Sequence, residues 1–116
     1  MKEIDWNIKE NKQLIEAILS LKNPEEVKCL LRDLMTVNEI DEFSNRLEAA
    51  RLLSKNTQYS AIIGKTGLSS TTIARISKWL KGSLGGYRLV LNRLTSNKSN
   101  TSHHTHSQNF VGKGLS

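Results

Sequence analysis

The apolar residues of this chain recur three and four positions apart through most of its length, with no run of alternating polar and apolar residues long enough for a strand. That periodicity limits the chain to an all-α fold of about six helices, and no internal repeat is present. Trp6, Leu14, Ile18 and Leu21 mark a first helix through about Leu21. Asn23, Pro24 and Glu26 then form a start signal: a capping side chain, a proline at the first helical position, and a glutamate three residues after the cap. The second helix carries Val27, Leu30, Leu31 and Leu34. Thr36 and Glu39 repeat the capping pattern before a third helix with Ile40, Phe43, Leu47, Ala50 and Leu53, ending near Lys55. Asp41 and Glu42, near its start, suit the positive end of the helix dipole. A short fourth helix begins at Asn56 and Thr57, contains Tyr59, Ile62 and Ile63, and stops near Gly67. A fifth spans about residues 69–80, and Gly82, Gly85 and Gly86 separate it from a last helix with Tyr87, Val90, Leu91 and Leu94.

The 116 residues divide by composition into a helical domain, 1–94, and a polar stretch, 95–116, expected to be disordered because it has few apolar anchors. His103, His104 and His106 cluster there, but a flexible tail lacks the supporting shell that ordered metal coordination needs. No metal or cofactor is expected. The single cysteine, Cys29, cannot form an internal disulfide, which fits a reducing, cytoplasmic setting. No apolar run of spanning length and no signal-peptide core is seen, so no membrane association is expected.

Charge is distributed unevenly. All 11 acids lie at or before Glu48, and residues 1–56 carry a net charge of −2. Residues 57–116 hold 8 Lys and Arg and no acid, a net charge of +8. Such polarity builds a field that attracts a polyanion.

Within that acid-free half, residues 57–80 have the form of a helix-turn-helix: two short helices joined at a glycine, the second amphipathic. Ile62, Leu68, Ile73 and Ile76 fall where the two helices must pack, and Gly67 permits the turn. With Ile73, Ile76 and Leu80 inward, the opposite face shows Ser70, Thr71, Ala74 and Lys78. Hydroxyls at a helix N-terminus are poor helix formers but good neighbours for phosphates and base edges. That accounts for Ser69, Ser70, Thr71 and Thr72 at the entrance to the fifth helix.

The stretches LLRDLMTVNEIDEFSNRLEAARLL, YSAIIGKTGLSSTTIARISKWL and GGYRLVLNRL together resemble the Trp repressor superfamily, in particular its YerC/YecD branch, over about residues 5–94. The resemblance implies an intertwined homodimer that places two recognition helices on double-stranded DNA. It also implies backbone contacts from Tyr59, Ser60 and Ile63, with Ser69, Ser70, Thr71 and Ala74 at the base edges. Arg46 and Arg75 match two arginines that sandwich the tryptophan co-repressor in that family, and Thr36 and Thr72 match two further pocket positions. A glycine and a serine of the family's pocket are replaced by Ile76 and Trp79. The added bulk is expected to fill the pocket, so tryptophan is not the expected co-ligand and any effector is unknown.

The function expected is sequence-specific DNA binding by a homodimeric bacterial transcriptional regulator, a repressor, with helix 69–80 in the major groove. An enzyme is not expected: the histidines lie only in the tail, and no phosphate-cradling glycine loop is present. The alternative is a helix-turn-helix interaction module that docks on polymerase or another regulator without a DNA site of its own.

Overall fold

The computed structural model describes residues 3–82 and 85–103 and contains six helices: α1 (Lys9–Leu19), α2 (Pro24–Leu34), α3 (Val37–Ser54), α4 (Tyr59–Thr66), α5 (Ser70–Leu80) and α6 (Gly86–His103). No strand occurs among the described residues. The chain divides into two units, Met1–Leu34 and Met35–Ser116.

In the first unit, α1 is shorter at both ends than its apolar spacing suggests. Trp6 lies in a turn before it, where Asp5 accepts from the Asn7 amide and the Asp5 carbonyl accepts from the Asn11 side chain, each at 2.9 Å. Asn23 caps α2 by accepting from the Glu26 amide at 3.0 Å. Glu26 reaches back as expected of a capping box, but it accepts from the Lys22 amide at 2.8 Å, one residue before the cap. Neither helix contains a buried residue. Ile15, Ile18 and Leu19 on α1 and Val27 and Leu34 on α2 all remain exposed.

The second unit holds the core. At its entrance the Thr36–Glu39 capping box closes in both directions, at 3.1 and 2.9 Å. Ala49, Ala50 and Leu52 of α3, Ile62 of α4, Leu68 of the turn, and Ile73 and Ile76 of α5 form the buried cluster, with Leu53, Tyr87 and Leu91 against it. The two alanines have no solvent exposure, and their small side chains let α5 lie close along α3, its main packing partner. Asn56 and Thr57, expected to open the fourth helix, instead close the third. Asn56 takes φ +63, its amide donates to Leu53 O, and the Thr57 amide donates to Leu52 O. This is the paired closing pattern of a left-handed helix end, and asparagine is one of the few side chains that tolerates it.

The last helix runs nine residues past the boundary expected at Leu94. Composition suggested disorder from Thr95, yet no proline or glycine interrupts residues 87–103, so a helix started on the packed Tyr87 and Leu91 meets no breaker. Residues 104–116, with His104, His106 and Lys113, lie outside the described residues.

Candidate nucleic-acid interface

The turn between α4 and α5 is held from both sides. Gly67 adopts φ +74 and ψ 2, and its amide donates to Ile63 O at 2.8 Å, ending α4 in the left-handed conformation that glycine adopts without strain. Thr66, which sequence reasoning passed over, is buried there. Its hydroxyl donates to Ile62 O at 2.8 Å and accepts from the Leu68 amide at 3.2 Å. One side chain thus satisfies a polar group on each side of the turn, while Ile62 and Leu68 seal it from the core side.

Ser69 then caps α5: its hydroxyl accepts from the Thr72 amide at 3.1 Å and contacts the Thr72 hydroxyl at 3.0 Å. Serine suits this position because its oxygen reaches an amide that has no partner in the first turn. The inward spacing holds, with Ile73 and Ile76 buried and Leu80 half-buried. On the outward side, Ser70, Thr71, Ala74 and Lys78 are all exposed, and Arg75 and Lys81 stand beside them in solvent. Tyr59, Ser60 and Ile63 form an exposed patch on α4. The residues expected from sequence to face DNA therefore lie exposed on the outer surfaces of this motif.

The electrostatics divide along the same line. Among the described residues, the ion pairs are Glu25–Lys28, Glu42–Arg46 and Glu48–Arg51, and none includes Lys65, Arg75, Lys78, Arg88 or Arg93. Glu48 is held below the usual carboxylate range, first by hydrogen bonds from Arg51 at 2.7 and 2.8 Å and further by the charges of Arg51, Lys65 and Lys55. The same pairing raises Arg51. The last acid of the sequence is thus occupied, and the outward face of α5 keeps its positive charge unopposed.

The residues matched to an effector pocket are not arranged alike. Arg46 is engaged along its own helix, paired to Glu42 at 3.0 Å with its guanidinium 5.5 Å from the Phe43 ring centre. Thr36 is occupied as the cap of α3, and Thr72 accepts from Ser69. Ile76, at 2 % exposure, belongs to the core. Trp79, expected to fill the same space, is 50 % exposed on the single chain.

A second residue missed in the sequence is Arg88. Its Nη1 donates to Leu80 O at 2.6 Å and to Gly82 O at 2.8 Å, across the C-terminal end of α5. A lone arginine in a basic half gives no sequence signal of this role.

Comparison with known proteins agrees with this geometry. Residues 9–95 match the family model described as Trp repressor protein. The uncharacterized protein YerC of Bacillus subtilis (strain 168) is 38 % identical over 94 residues, covering 81 % of this chain and 90 % of that protein. A crystal structure of a TrpR-like protein from Eubacterium eligens superposes with a TM-score of 0.73 at 38 % identity, covering 78 % of this chain and 93 % of that one. A Trp-repressor candidate from Staphylococcus aureus gives a TM-score of 0.71 at 34 % identity, covering 77 % and 89 %. The capped, glycine-hinged pair α4–α5, the six-helix order and these likenesses lead to one assignment: the chain belongs to the Trp repressor family.

Proposed function

We propose that this protein is a transcriptional regulator, a repressor, that binds specific double-stranded DNA as a homodimer with α5 in the major groove. The observation that carries the reading is the outward side of α5: Ser70, Thr71, Ala74 and Lys78 are exposed, no acid lies near them in sequence, and the motif behind them is locked on a buried core. The helix enters N-terminal end first, so its positive dipole end and small hydroxyl side chains meet the phosphates and base edges. Tyr59, Ser60 and Ile63 of α4 meet the backbone beside them. Membership of the Trp repressor family supports both the DNA and the pairing.

The homodimer is supported by exposed apolar residues in both units, including Leu19, Leu34, Phe43, Trp79 and Leu89. A chain this small does not leave so many such residues in water without a partner surface. Two copies related by a twofold axis present two reading helices to half-sites about one DNA turn, ~34 Å, apart.

Tryptophan is not the co-ligand in this reading. Ile76 occupies core space, and Arg46 is already paired to Glu42. Calorimetric titration with tryptophan is expected to give no saturable heat, and micromolar binding refutes this part.

The test of the whole is titration of a labelled duplex, selected from a random pool, at two salt concentrations. With several phosphates neutralised, affinity is expected to fall roughly a hundredfold or more between about 50 and 200 mM salt. A flat response or no binding favours the interaction module, for which the same exposed apolar residues would serve.

A further inference from the structure

Helix α5 has a second end, and one side chain holds it. The carbonyls of a helix C-terminus have no intrahelical donors and carry the negative end of the dipole. The amides of Lys81 and Gly82 close back on Ser77 O and Trp79 O. The carbonyls of Leu80 and Gly82 are met instead by Arg88, whose guanidinium supplies both donors and a positive charge. Arg88 sits in the first turn of α6, a helix that packs on both α3 and α5 and sets Tyr87 and Leu91 against the core. Gly85 provides the clearance. A Cβ added there would lie 2.7 Å from Arg88 Nη2 and 3.4 Å from Cζ, and the residue also adopts φ +70. Any side chain at position 85 would push against the guanidinium.

We propose that Arg88 is a positioning residue for DNA binding. It touches no nucleic acid; it ties the far end of α5 to α6 and so fixes the direction in which Ser70, Thr71, Ala74 and Lys78 point. The proposal rests on the DNA-binding reading. With Gly67 at one end of an 11-residue helix, freedom at the other end tilts the whole reading face. Base contacts depend on that tilt, whereas general attraction to phosphate depends on it much less. Arg88 therefore acts on specificity more than on affinity for DNA at large.

The experiment uses the full chain with Arg88→Met, Arg88→Lys and Gly85→Ala. It measures amide hydrogen exchange together with binding to a selected duplex and to a random one across a salt series. Arg88→Met is expected to speed exchange at Lys81 and Gly82 about tenfold while α3 amides keep their protection. The same variant is expected to lose about tenfold in affinity for the selected duplex, with the random duplex and the salt slope little changed. Arg88→Lys restores part of both effects, because an ammonium can still donate to a carbonyl, and Gly85→Ala reproduces the loss by displacing the guanidinium. Unchanged exchange at Lys81 and Gly82 overturns the proposal whatever the DNA result. Equal weakening of both duplexes, with a salt slope shallower by about one, also overturns it, since that marks a direct phosphate contact. If the unaltered protein prefers no duplex, the DNA-binding reading falls and the proposal with it. The exchange data then still report separately whether Arg88 holds α5.

Discussion

Thr71 shows how one position can separate binding from folding. It is exposed in the first turn of α5, where a carboxylate favours the helix dipole and disturbs no core contact. Thr71→Glu is therefore expected to leave the far-UV circular dichroism and melting temperature unchanged while abolishing duplex binding in a fluorescence titration. Normal binding by this variant would show that the reading face is assigned to the wrong side. Its neighbour Ser69 carries a structural role, and Ser69→Ala is expected to cost about 1 kcal/mol in chemical denaturation through loss of the cap. Ser69 was expected at the base edges rather than as a cap, whereas the exposure of Thr71 was legible because it follows from helical spacing. Thr66 and Arg88 were not. Arg88 meets carbonyls of Leu80 and Gly82 that only the folded chain brings within its reach, whereas the bonds of Thr66 are local and nothing in its residue type marks it among the other hydroxyls of the segment.

Among the elements, α5 depends on the face it buries. Ile73 has no solvent exposure, and Ile73→Ala is expected to cost roughly 2–5 kcal/mol in denaturant unfolding, a large part of the stability of a small domain. A loss near zero would mean that the helix does not lie on α3 as described. Helix α3 carries the Glu48–Arg51 pair, and its pH dependence has a defined sign. The folded carboxyl is held below its ordinary value, so the pair stabilises the fold above the usual glutamate range. That contribution is lost as pH falls through the lower folded value. Because both side chains are more than a third exposed, the effect is small. Glu48→Gln is expected to lower the melting temperature by about 2 °C at neutral pH, with the difference from the unaltered protein closing in acid. A difference that persists or widens in acid contradicts this account. Helix ends were the least legible feature at this scale. Asn56 and Thr57 carry residue types that serve either a start or a stop, and the packing of Leu52 and Leu53 behind them made them a stop.

At the scale of the whole molecule, the proposed homodimer gives the exposed apolar residues of α1 and α2 a partner surface. Sedimentation is expected to give about twice the 13.1 kDa chain mass, and the melting temperature is expected to rise with protein concentration. Ile18→Lys, which places a charge on the apolar stripe of α1, is expected to halve that mass or unfold the chain. A variant unaltered in both mass and stability would remove α1 from the interface.

What the order of residues determined alone was local: the helical period, the Thr36 and Ser69 caps, the left-handed turn at Gly67, and the division of charge that leaves α5 facing solvent with bases only. Each depends on interactions within a few positions, or on a sum that needs no coordinates. Tertiary structure decided which helices share a core, that Arg88 of α6 closes the far end of α5, and that Trp79 stands outside the buried cluster while Ile76 lies within it. Those outcomes depend on where α3 and α6 lie relative to α5, a distance in space that the spacing of residues along a chain does not encode.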